Sequence, residues 1–136
     1  MGSRGFLSEQ IDVASLIQQR GDIHHIFPKK YLQKNGINNR KDYNQIANYA
    51  YTQSEINIKI KDDAPCVYMA EMKKQVTGGE LQYGGITDEN DLKNNLAENC
   101  VLKEFVNMDI RNYREFLEKR RVLMAEFIHR FYDSLR

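Results

Sequence analysis

A regular apolar pattern occupies the C-terminal part of this 136-residue chain. From about Asp109 onward, large apolar side chains recur every three or four residues, which is the spacing of one face of an α-helix. These positions are Ile110, Tyr113, Phe116, Leu117, Met124, Phe127, Ile128, Phe131 and Leu135. The pattern predicts one long helix, and it predicts that the Met and Phe side chains of its apolar face belong to the core.

Three shorter helices are predicted upstream, each from a start or stop signal. Thr52, followed three residues later by a glutamate, forms a capping box that predicts a helix over about 53–61. Pro65 suits a first helical turn and Thr-Gly-Gly suits a helix end, which predicts a helix over about 65–76. A third helix is predicted over about 87–99, after an irregular glycine-rich segment.

The N-terminal half carries the strand signals. Residues 11–19 and 22–27 are expected to be extended, residues 48–52 form a third strand candidate, and the polar Asn/Gly-rich stretch 34–42 predicts an exposed loop. These strand candidates and the helix that follows them form a unit too small to bury a core without further helices. We therefore expect an α+β, mostly helical fold of one domain over 11–136.

Within that domain, a small ββα unit over about 11–61 is expected to pack against helices drawn from 64–136. Residues 1–10 are expected to be a cloning-derived or flexible start.

Composition narrows the class of protein. The chain is 41% hydrophobic and 10% aromatic, which favours a folded domain over disorder. No apolar run is long enough to span a membrane, and the polar start Met-Gly-Ser-Arg leads us to expect no signal peptide. The two cysteines, Cys66 and Cys100, form no CxxC pair. We expect a cytoplasmic protein that does not bind a membrane.

The basic side chains are unevenly distributed. Residues 24–61 contain seven Lys or Arg residues and only two carboxylates. A block of this kind can neutralise several phosphates, although a solvated lysine-rich surface has the same composition. The block favours a nucleic-acid partner because two adjacent histidines lie at its start.

The histidine pair lies in the stretch Asp22-Ile-His-His-Ile-Phe-Pro28. Neutral imidazole can bind a metal or act as a general base near pH 7. Adjacent strand residues point to opposite faces, so His24 and His25 can share a site only if the strand bends or bulges. A third histidine, His129, lies off the apolar face of the last helix and is expected to be a packed or surface residue.

Two asparagines complete the pattern. Asn48 opens the strand candidate over 48–52, and Asn57 lies in the predicted helix that follows. An amide carbonyl oxygen is a hard neutral ligand suited to Mg²⁺ or Mn²⁺. Taken singly, each asparagine is as well explained by a turn or a surface amide.

Together these parts resemble a known family. The stretch DIHHIFPKKYL, followed fifteen residues later by NYAYTQSEINIKI, resembles the HNH, or ββα-metal, nuclease motif. HHIFPK, Ile-Ala-Asn, Asn57, Pro65 with Tyr68, and the later FLEKRRVL are similar to the C-terminal nuclease domain of GmrSD-type modification-dependent restriction proteins. The resemblance is specific over 22–69 and looser over 100–135.

The resemblance implies a role for each site residue. His24 and Asn57 correspond to metal ligands, and His25 corresponds to the general base. Asn48 corresponds to the asparagine that braces the loop and the catalytic histidine backbone. Asp22 is a candidate further ligand, directly or through water.

The resemblance also implies the cofactor. Zinc-binding members of the wider motif carry histidines at the Asn57 position and four residues beyond it, where this chain has Lys61. Two protein ligands half fill the tetrahedral shell of Zn²⁺ but suit an ion that keeps several waters. Mg²⁺ is therefore expected, with Mn²⁺ as an alternative and Zn²⁺ less favoured.

The expected partner is double-stranded DNA, whose phosphates would be held by Lys29, Lys30, Lys59 and Lys61. The implied function is that of a metal-dependent endonuclease, the nuclease part of a larger restriction or phage-defence protein of prokaryotes. In the resembled family an N-terminal nucleotide-dependent domain precedes the nuclease, and we expect it to be missing here.

Two other classes remain open. One is a nucleic-acid-binding module that keeps the nuclease fold without activity. The other is a zinc-stabilised structural domain, which the lack of CxxC pairs and the lysine at position 61 disfavour.

Overall fold

The computed structural model describes residues 4–8, 22–81 and 83–135, and helices predominate in it. The strands are β1 (Asp22–His25) and β2 (Tyr49–Thr52). The α-helices are α1 (Lys29–Lys34), α2 (Arg40–Tyr43), α3 (Ser54–Ile60), α4 (Pro65–Val76), α5 (Glu89–Glu98) and α6 (Tyr113–Ser134). Short 3-10 helices lie at Ile46–Asn48, Lys103–Asn107 and Ile110–Asn112. The predicted mostly helical α+β fold is confirmed, whereas the extended segment expected over 11–19 lies outside the described residues.

The sheet is a two-stranded antiparallel ladder. Asp22 pairs with Thr52, His24 with Ala50 and His25 with Tyr49, and the register is continuous. The chain bends immediately after β1, so the strand is shorter than predicted. α3 follows β2 after a single residue and contacts β1, which brings the helix beside the histidine-bearing strand.

Residues 4–8 pack as part of the core. The Phe6 N–H donates to the Tyr51 carbonyl at 2.7 Å, and the Leu7 N–H donates to Asn95 Oδ1 on α5 at 2.7 Å. Phe6 and Leu7 are fully buried. These residues therefore belong to the folded domain, although the sequence predicted a cloning-derived or flexible start here.

Aromatic rings form the centre of the core. The Phe105 ring contacts those of Phe6, Phe27, Tyr68 and Phe116, with centroids 5.4 to 6.3 Å apart. All five side chains are fully buried. Because Phe27 is only two residues beyond the histidine pair, this cluster fixes the chain close to the candidate site.

Helices α4 and α5 confirm their predicted positions. Pro65 occupies the first turn of α4, where its missing N–H leaves no partner unsatisfied. After the helix, Gly78 has φ 102°, a left-handed conformation that glycine adopts without strain. The side chain of Asp88 caps α5 by accepting from the Asp91 N–H at 3.1 Å.

The predicted capping box of α3 is wrong. The N-cap is Gln53, which makes no side-chain capping hydrogen bond, and Thr52 is the last residue of β2. The Thr52 hydroxyl instead donates to the Phe6 carbonyl at 2.7 Å. A tertiary hydrogen bond therefore uses the Thr52 hydroxyl that the local sequence pattern predicted to cap the helix.

The segment between β1 and β2 is more helical than expected. α1 begins immediately after Pro28, and α2 begins within the stretch 34–42 that the sequence predicts to be a loop. Asn39 caps α2 by accepting from the Lys41 N–H at 3.0 Å. Both helices are too short to show an apolar periodicity in the sequence, which is why the sequence did not predict them.

Helix α6 is buried only in its first half. Tyr113, Phe116 and Leu117 lie in the core, but Phe127 and Phe131 are 39% and 42% exposed. The prediction that the whole apolar face belongs to the core is therefore wrong beyond the middle of the helix. None of the helices that the structure describes is long and apolar enough to cross a membrane.

Candidate functional site

His24 and Asn57 are in direct contact. His24 is buried, and its Nδ1 lies 2.8 Å from Oδ1 of Asn57, a half-buried residue in α3. The imidazole stacks on Phe6 at 5.6 Å between ring centroids and contacts Tyr68 edge-on at 6.2 Å. The core thus holds the His24 ring rigidly with one nitrogen directed at the helix.

The two contacting atoms have a separation suited to a shared cation. Ligands at about 2.1 Å from Mg²⁺ and at right angles to each other are about 3.0 Å apart. His24 Nδ1 and Asn57 Oδ1 are within a few tenths of an ångström of that value. Because an amide oxygen only accepts, the contact is a hydrogen bond from Nδ1–H to Oδ1, and a divalent cation would take the place of that proton. The imidazole nitrogen and the amide oxygen would then be two neutral ligands, which suits an ion that keeps several waters.

Carboxylates are not gathered at this site in the part of the chain that the structure describes. No group of three or more His, Cys, Asp or Glu side chains suited to a metal ion occurs among those residues. Asp22 is the first residue of β1, where its backbone pairs with Thr52.

His25 has a different environment. Its Nε2 lies 3.1 Å from Oδ1 of Asn44, and its ring contacts the Tyr49 ring edge-on at 5.0 Å. An amide oxygen only accepts, so this hydrogen bond requires the proton on Nε2 and leaves a lone pair on Nδ1. The contact with Asn44 therefore selects the form of His25 that can accept a proton.

The two histidines lie in an unbulged ladder. Because the register from Asp22 to His25 is continuous, His24 and His25 point to opposite faces of β1. The strand has no bulge at the histidines, and the chain bends only after His25. His24 therefore contacts Asn57 while His25 contacts Asn44, and the structure does not place both rings against one partner.

Asn48 braces the chain just after the histidines. Its buried side chain accepts from the Phe27 N–H at 2.8 Å and donates to the Phe27 carbonyl at 3.0 Å. Its own carbonyl accepts from the Ile26 N–H at 2.8 Å, and the Tyr68 hydroxyl donates to the Ile26 carbonyl at 2.7 Å. All four backbone polar groups of Ile26 and Phe27 are thus hydrogen bonded.

The hydroxyl of Tyr68 is a dependable donor in this brace. Complete burial raises its pKa well above the usual range for tyrosine, because the charged phenolate would lose its hydration. The hydroxyl therefore keeps its proton in the neutral pH range.

The four lysines of the sequence prediction flank the candidate site in the chain. Lys29 and Lys30 begin α1, just after the brace, and Lys59 lies in the last turn of α3. Lys61 follows α3 with φ 54°. All four side chains are exposed, and the Lys29 ammonium lies 5.3 Å above the Tyr43 ring.

The structure adds two residues that sequence reasoning missed. Asn44 contacts His25 from a loop, and nothing in its local sequence distinguishes it from the other asparagines of that polar stretch. Arg120 is buried, and its guanidinium donates to the carbonyls of the two residues that flank Asn48. Its position on the apolar face of α6 is the one sequence signal that could have identified it.

Comparison with known proteins finds no relative: no family model, no curated protein and no solved structure matches this chain.

Proposed function

We propose that this protein is an HNH-type endonuclease domain that hydrolyses phosphodiester bonds of double-stranded DNA with the help of Mg²⁺. The observation that carries the proposal is the contact between His24 Nδ1 and Asn57 Oδ1 at 2.8 Å, with His25 next to it on β1. A ligand pair beside a candidate base is the arrangement that metal-assisted hydrolysis needs.

The chain's residues divide the chemistry between them. His24 and Asn57 would hold the ion, which supplies charge stabilisation at the scissile phosphate and the leaving oxygen. Nδ1 of His25 accepts a proton from the attacking water, while Asn44 holds the ring through Nε2. Asn48 keeps the backbone after His25 in place, so the ring is oriented before substrate binds.

The exposed lysines account for binding of the substrate. Lys29, Lys30, Lys59 and Lys61 lie on the two segments that follow His25 and carry Asn57. Contacts from lysine to phosphate position a duplex without reading its sequence. We therefore propose weak sequence preference for the domain alone, and target choice by a nucleotide-dependent domain or subunit of a prokaryotic, cytoplasmic defence protein.

A non-catalytic nucleic-acid-binding module is the alternative. One observation favours it: the histidines point to opposite faces of β1, so catalysis requires the phosphate to reach past the strand end to both. The side-chain pairings of His25 with Asn44 and of His24 with Asn57 favour the enzyme, since binding lysines alone would need neither.

Plasmid nicking separates the two functions. Supercoiled DNA is incubated with the parent protein, His25→Ala and His129→Ala in Mg²⁺, Mn²⁺, Zn²⁺ or EDTA. His129 is the matched control because it is an exposed histidine on α6 whose side chain pairs with Asp133 of the same helix at 3.3 Å.

We expect nicking by the parent and by His129→Ala in Mg²⁺ or Mn²⁺, none in EDTA, and a loss of about a hundredfold or more in His25→Ala. DNA binding by gel shift without nicking in any metal would favour the binding module. Equal nicking by His25→Ala and the parent would refute the assignment of the base.

A further inference from the structure

The guanidinium of Arg120 is buried and joins three carbonyl groups. The residue is only 5% exposed. Its Nη1 donates to the carbonyls of Ala47 at 2.9 Å and Tyr49 at 2.7 Å, and its Nε and Nη2 donate to the Asn99 carbonyl at 3.2 and 2.9 Å. Arg120 thereby connects α6 to the start of β2 and to the end of α5.

A buried positive charge of this kind is costly. Among the described residues Arg120 forms no ion pair, so backbone carbonyls alone compensate its lost hydration. Burial lowers the pKa of Arg120 to about 10. A guanidinium reaches these three carbonyls with donors on three different nitrogens, whereas all three N–H groups of a lysine stem from one nitrogen.

Two of the three carbonyls flank the asparagine that braces the site. Ala47 and Tyr49 are the neighbours of Asn48, whose side chain and carbonyl hold Phe27 and Ile26. Arg120 thus fixes the peptide on both sides of the bracing residue. A shift of that peptide would move the side-chain amide and loosen the turn after the histidines.

Tyr49 provides a second connection. It pairs with His25 in the ladder, its ring packs edge-on against the imidazole, and its carbonyl accepts from Arg120. We propose that Arg120 is a positioning residue that holds Asn48 and Tyr49, and through them the backbone and ring of His25. The catalytic part of this inference rests on the proposed nuclease function, and the geometric part does not.

Hydrogen exchange tests the geometric part without any activity. The variants are Arg120→Lys and, as a matched control, Arg114→Lys at an exposed position of the same helix. The amide of Phe27 reports the brace, and the amide of Met72, buried in α4, reports global opening. In Arg120→Lys the Phe27 amide should exchange at least tenfold faster relative to Met72, and the ratio should not change in Arg114→Lys.

Nicking kinetics test the catalytic part. Arg120→Lys should lower kcat at least tenfold with KM for DNA within about twofold, since the exposed lysines remain. If Arg120→Lys does not fold, Arg120→Gln, which removes the buried charge, carries the same measurements.

An unchanged Phe27 to Met72 ratio in a folded variant, or equal acceleration at both amides, would overturn the positioning role. A changed ratio with unchanged kcat would overturn its catalytic part. A parent protein that does not nick, with the ratio changed in the variant, would support positioning while refuting the proposed function.

Discussion

The side-chain amide of Asn48 forms a two-point contact with the backbone of Phe27, accepting from its N–H at 2.8 Å and donating to its carbonyl at 3.0 Å. Both residues are fully buried, so water cannot replace either hydrogen bond. This contact closes the turn between β1 and α1, and one side-chain amide satisfies both backbone polar groups of Phe27 there.

Replacing Asn48 should therefore be costly in a way that reports both hydrogen bonds. Asn48→Ala leaves two buried backbone groups without partners and should lower the free energy of unfolding by about 2–4 kcal/mol. Asn48→Asp keeps an acceptor but places a carboxylate oxygen against the Phe27 carbonyl. At pH 7 it should therefore destabilise the protein as much as Asn48→Ala. In acid it should destabilise the protein less, because a protonated carboxyl group can donate to that carbonyl. Urea unfolding at pH 4.5 and 7 measures both effects.

The control for this series is Asn94→Asp at an exposed position of α5. It should change stability by less than about 0.5 kcal/mol. If Asn48→Asp has the stability of the parent at neutral pH, the amide nitrogen does not donate to Phe27.

The ligand pair makes a prediction about metal affinity. Asn57→Ala removes the amide oxygen beside His24 Nδ1, and it should raise the Mg²⁺ or Mn²⁺ concentration for half-maximal nicking at least tenfold. Asn57 is only half-buried, so folding should survive. Titration calorimetry with Mn²⁺ gives the affinity independently of cleavage.

His24→Ala should weaken metal binding too, but it also removes a ring stacked on Phe6 in the core and should cost roughly 2–4 kcal/mol of stability. Asn57→Ala is therefore the cleaner test. An unchanged Mn²⁺ affinity in a folded Asn57→Ala protein would exclude this side chain as a ligand.

Cleavage should depend on pH through the imidazole groups. A protonated ring can neither bind a cation nor accept a proton. The nicking rate should therefore fall when the solution is acidified toward roughly pH 5. Undiminished nicking at pH 5 would show that the histidines have been assigned wrongly.

Asn44 offers a way to move that profile. A carboxylate at its position would favour the protonated form of His25, whose Nε2 is 3.1 Å away. Asn44→Asp should therefore move the acid limb of the kcat profile to higher pH. Asn38→Asp adds the same charge at an exposed position of the preceding loop and should leave the limb in place.

Alkaline stability should report Tyr113. Burial raises the pKa of Tyr113 from 10.0 to about 12, and its hydroxyl donates to the Asp42 carbonyl at 2.6 Å. Because the folded pKa lies above the unfolded one, this contribution is complete below pH 10 and is lost as the pH rises through about 12.

Comparison with Tyr113→Phe isolates the tyrosine. At pH 8 the variant should be about 1 kcal/mol less stable than the parent, for one lost hydrogen bond. Between pH 10 and 11.5 the difference should shrink, because only the parent loses the Tyr113 contribution. Urea unfolding across this range measures the difference, and a constant gap would contradict the assignment.

The sequence predicts those features that local chemistry decides. Pro65 and the glycines after Val76 mark the ends of α4 without reference to the rest of the chain, and the structure has both ends there. Thr52 is the counterexample, because its hydroxyl could cap a helix but donates to the Phe6 carbonyl, forty-six positions away in the chain.

The site was predictable to the same extent. The resemblance assigns His24 and Asn57 to one site, and their side chains are in contact in the structure. The environment of His25 was not predictable, since Asn44 reaches it from a loop whose path depends on α1 and α2. Arg120 follows the same rule: a charged residue on an apolar face gives no hint of which carbonyls it will meet.

Because only the first half of α6 is buried, the free energy of local opening should differ between the two halves of this helix. Up to about Met124, its amides can open only when the core opens. Beyond that residue the side chains are exposed, and a helical segment of this length is marginal in water without tertiary support. The outer turns should fray on their own, so the cooperative unit ends near Met124, well before the helix ends at Ser134.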